Sequence, residues 1–345
     1  MRDIASHVGV SVMSISRALS GEHPKVSAKL RAKVLAAAEQ MGYRPDPALS
    51  ALVSYRHQKA GTRHGENLAF LTSWDSATAW MSIHHYRLVF EGASQRAAEL
   101  GYRLEHFWLR ETGLRQRRAG DILYHRGIRG LLIAPLQVNI GHLRMEWARF
   151  AAVTLGYSLV APALHYVVTD YFAGVFLAWK RLRAQGYRRI GLAIGRRHDT
   201  RTQHRWRAAF EILQMQVPVR RRIPSMIDEA GLVKEPFDAW FDRYRPDAVL
   251  SLGPGIPDWI REHGFRVPEE VGYVDLDVGG DECESGGVYQ NARHQGAAAT
   301  EILHLELLRF QSGLPQVRQG VVVAPVWKPG ATVRGGAKER DVTPG

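Results

Sequence analysis

Arg17 stands in the stretch VMSISRAL at residues 12–19, where Ile15, Ala18 and Leu19 recur at helical spacing and leave Val12, Met13, Ser16 and Arg17 on the opposite face. A guanidinium is a planar fork of donors, so from such a face it can hydrogen-bond in a bidentate way to the O6/N7 edge of a guanine. Val12 and Met13 offer methyl and shape contacts rather than a dense hydrogen-bond code. The competing roles are core packing for Val12 and Met13, and a phosphate contact or a solvated charge for Arg17; the spacing opposite the apolar triad favours the outward face.

Such a face must be held by its neighbours. Residues 3–8 (DIASHV) form one short helical pattern with Ile4, Ala5 and Val8 on one side. Gly9-Val10-Ser11 makes the turn: Gly9 tolerates positive φ, Val10 plugs the core and Ser11 can N-cap the second helix. In residues 23–45, Ser27 is the expected N-cap, Leu30, Val34, Ala37, Ala38 and Met41 form an apolar stripe, and Gly42 is the stop. That third helix closes a small three-helix core. Residues 46–56 (DPALSALVSYR) carry a shorter helical pattern entered through Pro45 and Pro47, and 57–66 read as a polar linker.

From residue 67 onward strands and helices alternate, which predicts parallel sheets covered by helices. Strands are expected at 67–74, 103–108, 130–135, 150–155, 189–195, 248–253 and 271–277. Helices are expected at 84–100, 114–126, 140–148, 172–185, 202–214, 233–243, 256–263 and 294–311. The pattern falls into two runs, about 67–160 and 165–290, followed by a last helix and strand, and 335–345 read as a disordered tail.

The 345 residues suffice for two or three domains, and the formal net charge of +12 suits an anionic partner, nucleic acid first and a membrane surface second, although an Arg-rich composition alone discriminates little. The single cysteine, Cys283, excludes an intrachain disulfide framework and a cysteine metal cluster, and suits a reducing cytoplasm. No signal peptide is legible at the N-terminus. Residues 150–168 carry no formal charge but are interrupted by Gly156, Ser158, Pro162 and His165, so short buried strands fit better than a membrane span. No phosphate-binding Gly-Lys-Ser/Thr loop, Gly-x-Ser-x-Gly elbow or His-Glu-x-x-His motif is present. His84 and His85 are adjacent and point in different directions on a helix, which is no metal-ligand spacing. Neither an enzyme nor a bound cofactor or metal is expected.

Residues 3–52 resemble the DNA-binding headpiece and hinge of the lactose-repressor (LacI/GalR) family of bacterial transcription regulators. The motifs that carry the resemblance are Asp3-Ile4-Ala5, Gly9-Val10-Ser11, Ser14-Ile15-Ser16-Arg17-Ala18-Leu19-Ser20-Gly21, Val26-Ser27, Arg31-Ala32-Lys33-Val34, Ala37-Ala38 and Gly42-Tyr43-Arg44-Pro45. The alternating remainder resembles the family's effector module, through Val168-Thr169-Asp170, Gln185-Gly186-Tyr187 followed by Ile190-Gly191, and Val267-Pro268-Glu269-Glu270-Val271-Gly272-Tyr273. The implied fold class is an N-terminal all-α helix-turn-helix headpiece (1–45), a hinge helix and linker (46–60), and an α/β two-lobed periplasmic-binding-protein-like module for ligand binding and dimerisation (61–334).

The implied function is a homodimeric, cytoplasmic regulator, a repressor in the commonest form, that binds a pseudo-palindromic double-stranded DNA operator under control of a small effector of the saccharide class. The alternative is a cytoplasmic sugar-binding receptor without operator specificity. Val12, Met13 and Arg17 are the base-reading candidates, and Ser11, Ser16, Ser27, Lys29 and Arg31 the phosphate-contact candidates, each with an equal claim as a cap or a solvated side chain. Leu52 matches the leucine that the family inserts as a minor-groove wedge, with packing between domains as the alternative. Pro47 and Ser50-Ala51 depart from the family's hinge pattern. The effector candidates are Ser73, Trp74, Asp75, Asp170, Arg201, Arg205, Trp206, Asp275, Asp277 and Gln290, with core packing for each Trp and helix capping for each Asp as the competing roles. Gly253-Pro254 stands where the family often has Asn-Asp, and Val274 where it often has Asp. Met1 falls at an apolar position that follows a capping Thr in the family, so a start a few residues upstream is expected.

Replacing Arg17 by Ala is expected to weaken binding to a specific site by about 1–3 kcal/mol and to random DNA by much less. Titration of both DNAs by gel shift checks this; equal losses make Arg17 a phosphate contact.

Overall fold

The computed structural model describes residues 2–11, 14–15, 18, 26–41, 67–111, 116–136, 141–279 and 284–335. At the N-terminus, α1 (Arg2–Val8) and α2 (Ala28–Gln40) flank the helical residues Ser14, Ile15 and Ala18. Ile4, Ala5, Val8, Ile15, Ala18, Val34, Ala37 and Ala38 are buried together, the core that the apolar spacing predicts. Gly9 takes φ +76° in the turn, where a side chain would be strained, and Val10 packs against the core. The Ser11 hydroxyl accepts from the Ser14 amide (3.2 Å) and that of Ser27 from the Leu30 amide (3.2 Å), each quieting an orphan donor at a helix start. Met41 does not join the stripe: it is 46 % exposed, because it caps the end of α2 and turns away from the three-helix core. Leu19, Gly42 and the expected hinge and linker at 46–66 lie outside the described residues, as do residues 336–345 of the expected tail.

The strands that follow are β1 (Asn67–Thr72), β2 (Arg103–Trp108), β3 (Gly130–Ile133), β4 (Gly141–His142), β5 (Ala151–Leu155), β6 (Leu159–Ala161), β7 (His165–Thr169), β8 (Ile190–Gly195), β9 (Met226–Asp228), β10 (Ala248–Ser251), β11 (Gly272–Asp275), β12 (Gly287–Tyr289), β13 (Gly320–Val323) and β14 (Val326–Lys328). They build two six-stranded sheets, ordered β13-β7-β5-β3-β1-β2 and β14-β12-β11-β10-β8-β9, with β4 and β6 as a separate pair. The first sheet is parallel throughout, and only β14 runs antiparallel in the second. Their near-continuous apolar runs are what strands buried on both faces require.

The helices of this part are α3 (His84–Glu99), α4 (Gln116–His125), α5 (Tyr171–Ala184), α6 (Arg196–Arg201), α7 (Arg205–Met215), α8 (Lys234–Tyr244), α9 (Ile256–Glu262) and α10 (Ala292–Leu308). On the first sheet α3 and α10 cross with backbones nearly touching. A Cβ on Gly296 would lie 1.9 Å from the Val89 carbonyl oxygen, and one on Gly92 would lie 2.0 Å from that of Arg293, so the crossing requires both glycines.

Several expectations are corrected. Residues 141–148 do not continue a helix: Gly141 donates to the Ser158 carbonyl (2.8 Å) and Leu143 to that of Ala161 (2.9 Å), drawing the segment into the β4–β6 pair before the short turn Trp147–Arg149. The helix expected at 202–214 starts only at Arg205, as α7, because Gln203 (φ 52°) and His204 (φ 59°) adopt left-handed backbone, and the short α6 before them was not expected. Short strands β9, β12 and β14 lack a periodic signal long enough to read. The two sequence runs are not the two lobes: β7, α10 and β13 return to the first sheet, so the chain passes between lobes after Thr169, near Gln290 and between Val323 and Val326.

One buried hydroxyl touches all three passages. Thr169 Oγ1, 2 % exposed, donates to the carbonyls of Gln290 (3.2 Å) and Val323 (3.3 Å). The Asp170 amide donates to Val323 (2.9 Å), Asn291 Nδ2 to Ala324 (2.7 Å) and Gln295 Nε2 to Gln290 (2.7 Å). Thr169→Val, of nearly equal volume, is expected to cost about 1 kcal/mol, because the two buried carbonyls lose the shared hydroxyl while keeping Gln295 Nε2 and the Asp170 amide as donors. Urea unfolding measures it, and a loss below about 0.5 kcal/mol would remove the hydroxyl from this role.

Candidate functional site

Of the residues expected to meet DNA, Val12, Met13, Ser16, Arg17 and Leu52 lie outside the described residues. Ser11 and Ser27 are exposed while serving as caps, and Lys29 is exposed in the first turn of α2. Capping and phosphate contact are compatible here, since a helix N-terminus directs its free N–H groups and its positive dipole end toward an anion.

The second candidate site is the cleft between the lobes, where the C-terminal ends of the parallel strands converge, the position at which open α/β sheets take ligands. From the first lobe come Ser73, Trp74 and Asp75 after β1, and Tyr157 after β5. From the second come Tyr171 at the start of α5, the α6–α7 segment after β8, and Asp275 and Asp277 from the end of β11. Among the described residues, two side-chain hydrogen bonds bridge the lobes: His85 Nδ1 lies 3.2 Å from Asp277 Oδ1, and Arg201 Nη2 donates to the Tyr86 hydroxyl.

An aromatic floor runs through the cleft. Trp74 packs on Tyr86 (5.4 Å between centroids), Tyr157 on Tyr171 (6.4 Å), and Tyr171 meets Trp206 edge-on (5.1 Å). The Arg205 guanidinium sits 4.7 Å from the Tyr157 ring centre and that of Arg201 sits 5.5 Å from Tyr86, both within cation–π range. Burial pushes the hydroxyls of Tyr86, Tyr157 and Tyr171 above the ordinary phenol range, with Arg201 opposing the rise at Tyr86 and Arg205 at Tyr157. All three are therefore neutral donors at neutral pH. Burial, then the Arg201 charge, holds His198 below the usual imidazole range, so it is neutral there too.

The predicted effector residues divide. Trp74, Arg201 and Arg205 meet in this lining, with Asp277 on the interlobe bridge. Four others are committed to structure. Asp170 caps α5, accepting from the Ala173 amide (2.9 Å). Trp206 is buried in the second-lobe core. Gln290 is buried and donates from Nε2 to the Leu276 carbonyl (2.9 Å). Asp275 is buried, accepting from the amides of Asp277 (2.9 Å) and Gly253 (3.3 Å). Asp75 is exposed and ion-paired with Arg110, and Ser73 is half-buried beside Trp74. The Gly253 turn is thus a structural joint: its backbone has φ +98° and its carbonyl accepts from the Tyr273 hydroxyl (2.6 Å).

The sequence reading missed His85, Tyr86, Tyr157, Tyr171 and His198. An aromatic residue directly after a strand end, as in Gly156-Tyr157 and Asp170-Tyr171, was the available signal. The lobe-to-lobe pairing of His85 and Tyr86 had none, since their partners are distant in the chain. Among the described residues no group of three or more His, Cys, Asp or Glu is placed to hold a metal ion, and no helix is long and apolar enough to cross a membrane.

Burial, opposed by the Asp277 and Gly253 amides, raises the Asp275 carboxyl to about 6. A folded-state value above the unfolded one means that ionisation is disfavoured in the fold. The resulting stability is fully present below about pH 4 and is lost as pH rises through about 6. Wild type is therefore expected to lose about 2–3 kcal/mol relative to Asp275→Asn between pH 4 and pH 7. Paired urea titrations across that range test it, and parallel pH profiles would count against it.

Residues 1–46 match the bacterial regulatory proteins of the lacI family, and residues 179–333 match the periplasmic binding protein-like domain. The HTH-type transcriptional regulator GalR of Salmonella typhimurium is 23 % identical over 288 residues, covering 80 % of this chain and 79 % of that protein. DegA of Bacillus subtilis, likewise an HTH-type transcriptional regulator, is 23 % identical over 292 residues, covering 80 % of each chain. Among solved structures, a transcriptional regulator CelR–cellobiose complex superposes with a TM-score of 0.57 at 19 % identity, covering 95 % of this chain and 98 % of that one. A lac repressor dimer bound to operator and the anti-inducer ONPF does so with a TM-score of 0.55 at 18 % identity, covering 96 % and 98 %. With its helix-turn-helix core at the N-terminus and its two-lobed module behind it, the chain joins a lacI-family regulatory domain to a periplasmic binding protein-like domain, the arrangement of the HTH-type transcriptional regulators it is similar to.

Proposed function

We propose that this chain is a homodimeric, cytoplasmic repressor that holds a pseudo-palindromic operator and releases or grips it according to a sugar-class effector in the interlobe cleft. The observation that carries the reading is the cleft itself. Aromatic faces and arginine donors line it from two lobes that, among the described residues, meet across it through the side-chain hydrogen bonds His85–Asp277 and Tyr86–Arg201 and the ring contacts of Tyr157 with Tyr171 and Arg205. A sugar presents an apolar face to such rings and hydroxyls to such donors. The solved relative that holds cellobiose and the one held on an operator support the two halves of the reading.

In this mechanism Arg17, with Val12 and Met13, reads base edges. Ser11, Ser16, Ser27, Lys29 and Arg31 position the headpiece on phosphates, and Leu52 wedges the minor groove. Trp74, Arg201 and Arg205, with Ser73, Asp75 and Asp277 at the margin, receive the effector. The effector acts by binding one lobe arrangement more tightly than the other, and its sign, inducing or corepressing, follows from which arrangement that is.

Gel shifts on genomic fragments selected by the protein itself are expected to show binding to a small subset, with a steep loss of affinity as salt rises. A cognate sugar at about 100 times its Kd should stabilise the protein by about 2.7 kcal/mol in a thermal-shift assay and change operator affinity in parallel. Equal retention of every fragment would overturn the operator reading, and a stabilising sugar without effect on operator affinity would overturn effector control.

A further inference from the structure

Among the described residues, the cleft carries more cation than its acids answer. Each nearby carboxylate among them is already engaged. Asp277 faces His85, Asp75 pairs with Arg110, and Glu229 with Arg196. Asp170 caps α5, and Asp275 accepts backbone amides. Asp199, fully buried, holds His204 through Oδ2 (2.8 Å) with Arg207 at 3.9 Å; its Oδ1 has no partner. Among the described residues, neither Arg201 nor Arg205 has a carboxylate partner.

The unanswered groups are donors. Arg205 Nε is out of water with no hydrogen-bond partner among the described residues, and its guanidinium rests on the Tyr157 ring. The indole N–H of Trp74 is buried and unpartnered. His84 Nε2 is too: Arg87 donates to His84 Nδ1 (3.0 Å), which assigns the ring proton of the neutral imidazole to Nε2. A buried donor left unmet costs free energy that a suitable acceptor recovers, and a guanidinium is best met by a bidentate anion.

The backbone is strained to produce this arrangement. Gln203 and His204, neither a glycine, take successive left-handed conformations between α6 and α7. The turn is closed by the His204 amide on the Asp199 carbonyl (2.8 Å) and by the Asp199–His204 side-chain bond. It is this turn that ends α6 at Arg201 and starts α7 at Arg205, bringing both arginines to the aromatic lining.

We propose that the effector of this protein is an anionic sugar, whose carboxylate or phosphate is received by Arg205 and Arg201 while its ring lies against the cleft tyrosines and Trp74. The proposal rests on the cleft being the effector site, and it narrows that reading from saccharides in general to acidic ones.

The test is calorimetric titration of the full-length protein with D-glucuronate, D-galacturonate and glucose 6-phosphate. The neutral partners glucose, galactose and cellobiose, and inorganic phosphate alone, run beside them. Uronate binding identifies a carboxylate and sugar-phosphate binding a phosphate; either, at least about ten-fold tighter than its neutral partner, supports the proposal. Arg205→Gln should then weaken binding about 30-fold or more, with Arg205→Lys falling between. The ligand-free Arg205→Gln protein should melt no lower than wild type, because an uncompensated charge is removed; a clearly lower melting temperature would make Arg205 structural and overturn the assignment. Neutral sugars binding as tightly as acidic ones would overturn the anionic class while leaving the cleft an effector site. Inorganic phosphate binding as tightly as any sugar would overturn the sugar ring's part in recognition. No binding by either class, with operator affinity unmoved by all of them, would overturn both readings.

Discussion

The two lobes of the effector module depend on one buried hydroxyl. Thr169 lies at the end of β7, where the chain first leaves the first lobe, and it donates to backbone carbonyls beside the other two passages. Three strands of chain crossing at one place make a hinge rather than a tether. The lobes can change angle about it but cannot separate without breaking its bonds to the Gln290 and Val323 carbonyls, which also accept from Gln295 Nε2 and the Asp170 amide. An effector that alters that angle therefore acts on the whole module.

The same constraint explains why the cleft can be chemically demanding. Strand ends from both sheets are held facing one another, so Trp74, Tyr86 and Tyr157 from one lobe meet Tyr171, Arg201 and Arg205 from the other. Unmet donors and consecutive left-handed residues each carry a cost that the two well-packed cores can absorb. The tight crossing of Gly92 with Gly296 locks α3, and with it His85 and Tyr86, against the first lobe. A change at the cleft is thus transmitted to a rigid body instead of dissipating in a loose helix.

The headpiece works by different physics. Its core is small and local, formed from residues within the first 38 positions, and its helix starts are capped by Ser11 and Ser27 close by in the chain. Such a unit holds its described helices together without contacts from the two-lobed module. Behind it the two-lobed module is a separate unit with its own cores, the arrangement of the HTH-type transcriptional regulators this chain is similar to.

The sequence by itself determined what depends on neighbours in the chain. Helical periodicity placed Ile4, Ile15 and Val34 in one core, Gly9 and Ser11 in the turn, and Ser27 at a cap. Apolar runs revealed the long buried strands, and ordered motifs revealed the lacI-family domain at the N-terminus. Tertiary structure decided what depends on distant partners. It sent β7, α10 and β13 to the first lobe and drew residues 141–142 into a strand pair. It turned Asp275 and Gln290 inward to backbone groups, and it made His85 and Tyr86 interlobe contacts. A carboxylate or an amide has the same residue type whether it meets a ligand or a backbone amide. Which it meets is settled by the end of the neighbouring strand it faces, and that strand is brought there by chain from far away.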